Sequence, residues 1–239
     1  MHGNNETAIL LGPLLKLEPR EVSAVTGLPF LLGMSQPALR KLLATAEVRR
    51  LDAKEVLFSE GQAAEHFFCV VSGHLRAYRT DRDGRSADVM LFGPGDCFGH
   101  CMLFNGAKQH FDVQAAERAT IVAFSLDHIR KLIGEEPDVA RAIIRSLSTN
   151  LLNATDCIAN DRLQTAPQRV AHYILTHCRK DDAGKSATMR LPFQKSLLAG
   201  KLGLAPEALS RAFSTLKDNG VIVRGRLIHV ENTGALENL

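Results

Sequence analysis

Two short stretches of the 239-residue chain hold side chains whose types and spacing could do chemistry. The first is "FGHCMLFNGAKQHF", Phe98 to Phe111, which follows a Gly-Pro-Gly-Asp turn. It carries His100, Cys101 and His110 beside Gly99, Lys108 and Gln109. Imidazole and thiolate both serve as axial ligands of haem iron, so His100 and Cys101 are candidates for that role. Cys97-x-x-His100-Cys101 also resembles a soft-metal cluster, whereas the plainer reading makes the cysteines small buried hydrophobes. The second stretch is "EALSR", in which Glu207, Ser210 and Arg211 share one helix face by i, i+3 and i+4 spacing. Arginine can donate two hydrogen bonds to guanine O6 and N7, glutamate can accept from a cytosine amino group, and serine serves a base or a phosphate. Lys201, Lys217, Arg224 and Arg226 lie nearby as phosphate contacts that ignore sequence. The plainer reading is that Glu207 and Arg211 form an exposed ion pair on an ordinary helix.

The elements around the second stretch decide between those readings. In "FQKSLLAGKLGLAPEALSRAFSTLKDNGVI" a first helix, Phe193 to Leu202, has Leu197, Leu198 and Leu202 to bury and keeps Ala199 small where another helix must approach. Gly203 permits a sharp turn, and Pro206 suits the first turn of a second helix that ends near Gly220. That second helix has Leu209, Phe213 and Leu216 to bury. The pattern is a helix-turn-helix whose second helix is free to enter a major groove of double-stranded DNA. "GVIVRGRLIHVEN" then reads as a β-hairpin turning at Arg224-Gly225-Arg226.

Around the first stretch the period changes to two. From Glu47 to Leu126 short strands alternate with turn residues, and Asp83-Gly84 is a hairpin signal, so a β-roll or sandwich is expected. A long helical stretch follows to Leu163, free of Gly and Pro from Val139 onward. Ile144, Leu147, Leu151, Ala154 and Ile158 recur at spacings of 3 and 4, the seam of a two-stranded coil and hence a homodimer. The alternative is a core helix of a monomer. The fold class is α+β, divided as residues 1–27 (an arm), 28–137 (a sensor β-roll), 138–163 (a dimerisation helix) and 164–239 (a winged helix-turn-helix). From Arg162 onward there are 12 Lys and Arg against 6 Asp and Glu, while the rest of the chain holds 17 against 20. Only the C-terminal unit is therefore expected to meet a polyanion. The 5 scattered cysteines suit reduced thiols rather than a disulfide framework. No apolar run approaches the roughly 18 residues of a membrane span, so the expectation is a cytoplasmic protein without a membrane partner. No third group orders a cysteine–histidine nucleophile, so an enzyme is not expected.

The order of β-roll, long helix and winged helix-turn-helix, together with "E-A-L-S-R", resembles the CRP/FNR superfamily of bacterial transcription regulators over about residues 28–235. The look is nearest to its FNR and denitrification-regulator branch. The resemblance implies a cyclic-nucleotide-binding-like roll (a double-stranded jelly roll) and RNA polymerase as a partner. It also implies a homodimer reading an inverted repeat of TTGAT-like half-sites through Glu207, Ser210 and Arg211. In the cyclic-AMP branch a glutamate follows the roll's glycine, and an Arg-Ser or Arg-Thr pair holds the cyclic phosphate. Here His100 stands in the glutamate's place, and Gln109 and His110 in those of the pair, with Lys108 one position early. Each charge-assisted hydrogen bond is worth about 1.5–3 kcal/mol, so losing two weakens such binding roughly a hundredfold or more. An iron–sulfur cluster of the FNR kind needs N-terminal cysteines, and none precedes Cys69. The effector expected from this branch is nitric oxide or another diatomic gas taken up through haem. A cyclic nucleotide and the absence of any effector are the alternatives.

Overall fold

The computed structural model describes residues 19–106, 108–181, 185–237 and 239. The chain opens with α1 (Pro19–Thr26) and α2 (Gln36–Leu43), then runs through β1 (Glu47–Leu51), β2 (Val56–Phe58), β3 (His66–Ser72), β4 (Leu75–Thr80), β5 (Ser86–Phe92) and β6 (Cys97–Phe98). A one-turn helix α3 (Met102–Asn105), β7 (Asp112–Ala115), β8 (Ala119–Ser125) and α4 (Leu126–Glu135) complete the roll. Its strands form two four-stranded sheets, ordered β1-β8-β3-β6 and β2-β7-β4-β5. The fold class read from the sequence is the one found.

Burial explains why the two sheets read differently as sequence. In β3, Phe68 and Val70 face the space between the sheets, and Phe67, Cys69 and Val71 face a layer of helices. β8 does the same, with Ile121 and Ala123 inward and Val122 and Phe124 outward. A strand covered on both faces is apolar throughout. β4 and β7 alternate, because only Leu75, Ala77, Val113 and Ala115 turn inward. The expected turn at Asp83-Gly84 joins β4 to β5, with Asp81 Oδ1 accepting from the amides of Asp83 and Arg85 at 2.9 Å each.

One boundary needs correction. Residues 1–18 of the expected arm lie outside the described residues, but residues 19–26 are helical rather than loose. Val25 in α1 is fully buried in the helix-side core, and Glu21 pairs with Arg50 of β1 at 2.7 Å. A short apolar stripe of Val22 and Val25 is a weak local signal, and the sheet that it covers supplies the rest of the stabilisation.

The long helix is α5 (Pro137–Leu163), of 27 residues. Its start is anchored, since Val139, Ala142 and Ile143 are buried and Asp138 accepts from the Ser35 amide at 3.0 Å. Further along, the expected seam stands in the open: Ile144 is 63% exposed, Leu151 69% and Ile158 56%, and Ala154 is exposed too. Leu147 alone of the five packs partly on the roll's core. The core-helix reading therefore holds only for the first turns.

By packing, the chain separates into two compact units: residues up to Ala87 with Leu91–Leu152, and Asn153–Leu239 with Asp88–Met90. The second holds α6 (Ala166–His177), β9 (Arg179–Lys180), β10 (Ala187–Arg190), α7 (Lys195–Lys201), α8 (Pro206–Lys217), β11 (Val221–Arg224), β12 (Leu227–Val230) and α9 (Thr233–Glu237). Its sheet is ordered β11-β12-β10-β9. Among the described residues no helix is long and apolar enough to cross a membrane.

Candidate nucleic-acid interface and sensor site

The two helices of the expected helix-turn-helix are α7 and α8. Leu198 and Ala199 of α7 are buried, while Leu197 and Leu202 are only partly so. Gly203 takes φ +62°, a left-handed conformation that a β-carbon would strain. The Leu204 amide then returns to the Ala199 carbonyl at 2.9 Å, which closes the turn. Pro206 begins α8, where its missing N–H costs no helix bond. Leu209, Ala212, Phe213 and Leu216 bury one face of α8. Arg169 of α6 braces the junction by donating to the Leu202 carbonyl at 3.1 Å and to Asp161 at 2.7 Å. That brace has no signal in the local sequence.

The opposite face of α8 presents Glu207, Ser210, Arg211 and Lys217, all exposed. Glu207 and Arg211 form no ion pair among the described residues, so the plainer reading of the pair does not hold here. Their hydrogen-bonding groups face solvent. Lys201 at the end of α7 and Arg224 at the wing turn are exposed as well. Arg226 must be corrected. Its guanidinium donates to the Leu191 carbonyl at 2.8 Å and to the Pro192 carbonyl, and the Leu191 amide donates back to the Arg226 carbonyl at 2.8 Å. It fastens the wing to the segment entering α7 and is not a free phosphate contact.

The six residues expected to share an effector pocket differ in exposure and in partners. Gly99 has φ +87°, and a β-carbon there would stand 3.0 Å from the His66 carbonyl, so the chain can pass β3 only as glycine. His100 is 3% exposed, edge-on to Phe67, with Nε2 3.3 Å from the Asn150 amide nitrogen of α5. Burial lowers its pKa to about 4, so the ring is neutral, accepts at Nε2 and carries its proton on Nδ1. Asn150 also donates to the Cys97 carbonyl at 3.3 Å. Cys101 is exposed at the start of α3. Lys108 and His110 are exposed, and the His110 carbonyl accepts from Arg79. Gln109 lines a cavity of about 320 Å³ walled by Arg49, Leu57, Phe58, His66 and Phe68.

Haem does not fit His100 and Cys101 well. His100 already spends its acceptor on Asn150, and neither it nor Cys101 lines that cavity. No group of three or more His, Cys, Asp or Glu is placed to hold a metal among the described residues. The diatomic-gas expectation therefore gains nothing from these two side chains. Between the sheets, Phe58, Phe68, Phe92 and Phe98 stack with centroids 4.3–6.3 Å apart, and Phe111 joins Phe58 at 6.3 Å. Phe58 and Phe68 of this cluster also wall the cavity that Gln109 lines.

Comparison with known proteins agrees with this architecture. Residues 48–136 match the model of the cyclic nucleotide-binding domain, and residues 168–239 that of the Crp-like helix-turn-helix domain. The chain is 31% identical over 170 residues to the nitrogen fixation regulation protein FixK of Bradyrhizobium diazoefficiens, covering 70% of each chain. It is 21% identical to the CRP-like cAMP-activated global transcriptional regulator of Mycobacterium tuberculosis, over 85% of this chain and 92% of that one. Among solved structures, FixK2 from Bradyrhizobium japonicum superposes with a TM-score of 0.66 at 29% identity, covering 81% of this chain and 96% of that one.

Proposed function

The chain is a DNA-binding transcription regulator of the CRP/FNR superfamily, and from that footing we propose that it works as a homodimer on an inverted repeat of TTGAT-like half-sites. Glu207, Ser210 and Arg211 read the bases, while Lys201, Lys217 and Arg224 hold phosphates. The carrying observation is the exposed, mutually unpaired Glu207 and Arg211 on a helix whose other face is buried. The dimer forms along Ile144, Leu151 and Ile158, large apolar side chains left in solvent on a single helix. RNA polymerase is the partner that the family resemblance implies at a promoter.

A twofold dimer sets its two recognition helices about 34 Å apart, one turn of DNA. Moving the half-sites apart by about 5 base pairs puts them on opposite sides of the duplex and should abolish specific binding. Equal affinity for both spacings would overturn the dimer reading. Failure to bind any duplex at low salt would overturn the DNA reading itself.

Cyclic AMP is not the effector in this reading. Two charged partners of the nucleotide are replaced by His100 and Gln109, the exchanges that the sequence shows in the effector stretch. Saturating cyclic AMP is expected to change DNA affinity by less than about twofold, well under 1 kcal/mol. A rise of about tenfold would refute this.

A further inference from the structure

Cys69 and Cys97 occupy adjacent antiparallel strands, β3 and β6, directly opposite one another. The neighbouring Val70 amide donates to the Asp96 carbonyl at 2.9 Å, which leaves the cysteine pair at a narrow, non-hydrogen-bonded position of the ladder. Paired α-carbons there lie about 4.5 Å apart, inside the range that a disulfide spans. Both side chains leave the sheet on the same face, into the helix-side core. The two sulfurs are 2.6 Å apart, closer than unbonded sulfurs rest. We propose that Cys69 and Cys97 are a reversible thiol–disulfide site, closed by hydrogen peroxide and reopened by a dithiol.

The chemistry balances with one peroxide per pair. The Cys97 sulfur, as thiolate, attacks one peroxide oxygen, the O–O bond breaks, and the departing hydroxide takes up a proton to leave as water. Cys97 is then a sulfenic acid. The Cys69 sulfur attacks it, the S–S bond forms, the S–O bond breaks, and a second water leaves with the Cys69 proton. Two thiols lose two electrons and two protons, and peroxide is reduced to two waters. Burial raises the pKa of the Cys69 thiol, which argues against its making the first attack on peroxide. Cys97 is 8% exposed against 0% for Cys69, so peroxide also meets it first. The new bond would pin β6 to β3 just before Gly99 and His100, beside the carbonyl that Asn150 of α5 holds.

The test uses the full-length protein, as wild type and with Cys101, Cys157 and Cys178 changed to serine. Each is treated with a small excess of hydrogen peroxide, denatured with N-ethylmaleimide and mapped by mass spectrometry. The expected result is a Cys69–Cys97 linked peptide within one chain, two fewer maleimide labels, and recovery of both labels after dithiothreitol. In Cys69→Ala, Cys97 should stop as a sulfenic acid trapped by dimedone. If that variant fails to fold, the wild-type map decides alone. Full labelling of both cysteines after peroxide, over-oxidation of Cys97 without a linked peptide, or a link between two chains would each overturn the proposal.

Discussion

Changing Arg211 to alanine should cost sequence discrimination far more than stability. The side chain projects from α8 into solvent without an ion pair, while Leu209, Phe213 and Leu216 on the opposite face stay buried. An exposed position of this kind changes folding stability by no more than about 0.5 kcal/mol. On the cognate repeat, each bidentate contact to guanine is worth about 1–3 kcal/mol, and a dimer makes it twice. The loss is therefore about 2–6 kcal/mol, or from roughly thirtyfold to roughly twenty-thousandfold in Kd. On a scrambled duplex only charge is lost, and each lost phosphate contact lowers the slope of log K against log salt by about 0.9. Fluorescence anisotropy titrations of both duplexes at several salt concentrations separate the two effects, with circular dichroism melts as the control. The reasoning fails if Arg211→Ala weakens both duplexes equally and flattens the salt slope, since Arg211 would then be a phosphate contact. It fails equally if the specificity ratio is unchanged.

Leu151→Ala should leave the fold intact and weaken the dimer. A residue 69% exposed in the single chain loses about 1–2 kcal/mol of interface burial per copy, so sedimentation equilibrium should show at least about tenfold weaker association. A sedimentation profile identical to wild type would remove the seam from the dimer. Arg226→Ala should destabilise the C-terminal unit by about 1–3 kcal/mol in urea melts, because the Leu191 and Pro192 carbonyls lose a charged donor. A stable variant with only a reduced salt slope would restore Arg226 as a phosphate contact. His100 binds its proton at about 4 when folded and near 6.5 when unfolded. The unfolded chain therefore takes up a proton first as pH falls, and stability is lost from about pH 6.5 down to about 4, by up to about 3 kcal/mol. His100→Gln should flatten urea stability over that window, and an unaltered pH dependence would exclude His100 as its source.

The parts of this molecule that announce themselves in sequence are those governed by local constraint. Gly203 and Pro206 each restrict or free their own backbone, so the turn between α7 and α8 is legible within a few letters. The strands of the roll are legible because a sheet's covering fixes which letters are apolar. Arg226 misleads because a letter shows charge but not direction. Its carbonyl partners lie 35 and 34 residues away, where the chain leaves its ladder. His100 misleads for the same reason. It stands where a ligand-binding residue is expected, yet its ring is turned to Asn150, 50 residues on. α1 is missed because its apolar stripe is too short to be distinctive without the sheet beneath it.

Asn150 and Leu151 are neighbours on α5, about 100° apart around its axis. One holds the loop at Cys97 and His100, and the other belongs to the open apolar ridge. Both belong to the part of α5 that lies in the first unit. With the side-chain tip about 5 Å from the axis, a displacement of about 1 Å at Asn150 is a torsion of roughly 10°. Leu151, the next residue along the backbone, then swings through that same angle. Whatever moves the loop is felt at Leu151 as a change of bearing.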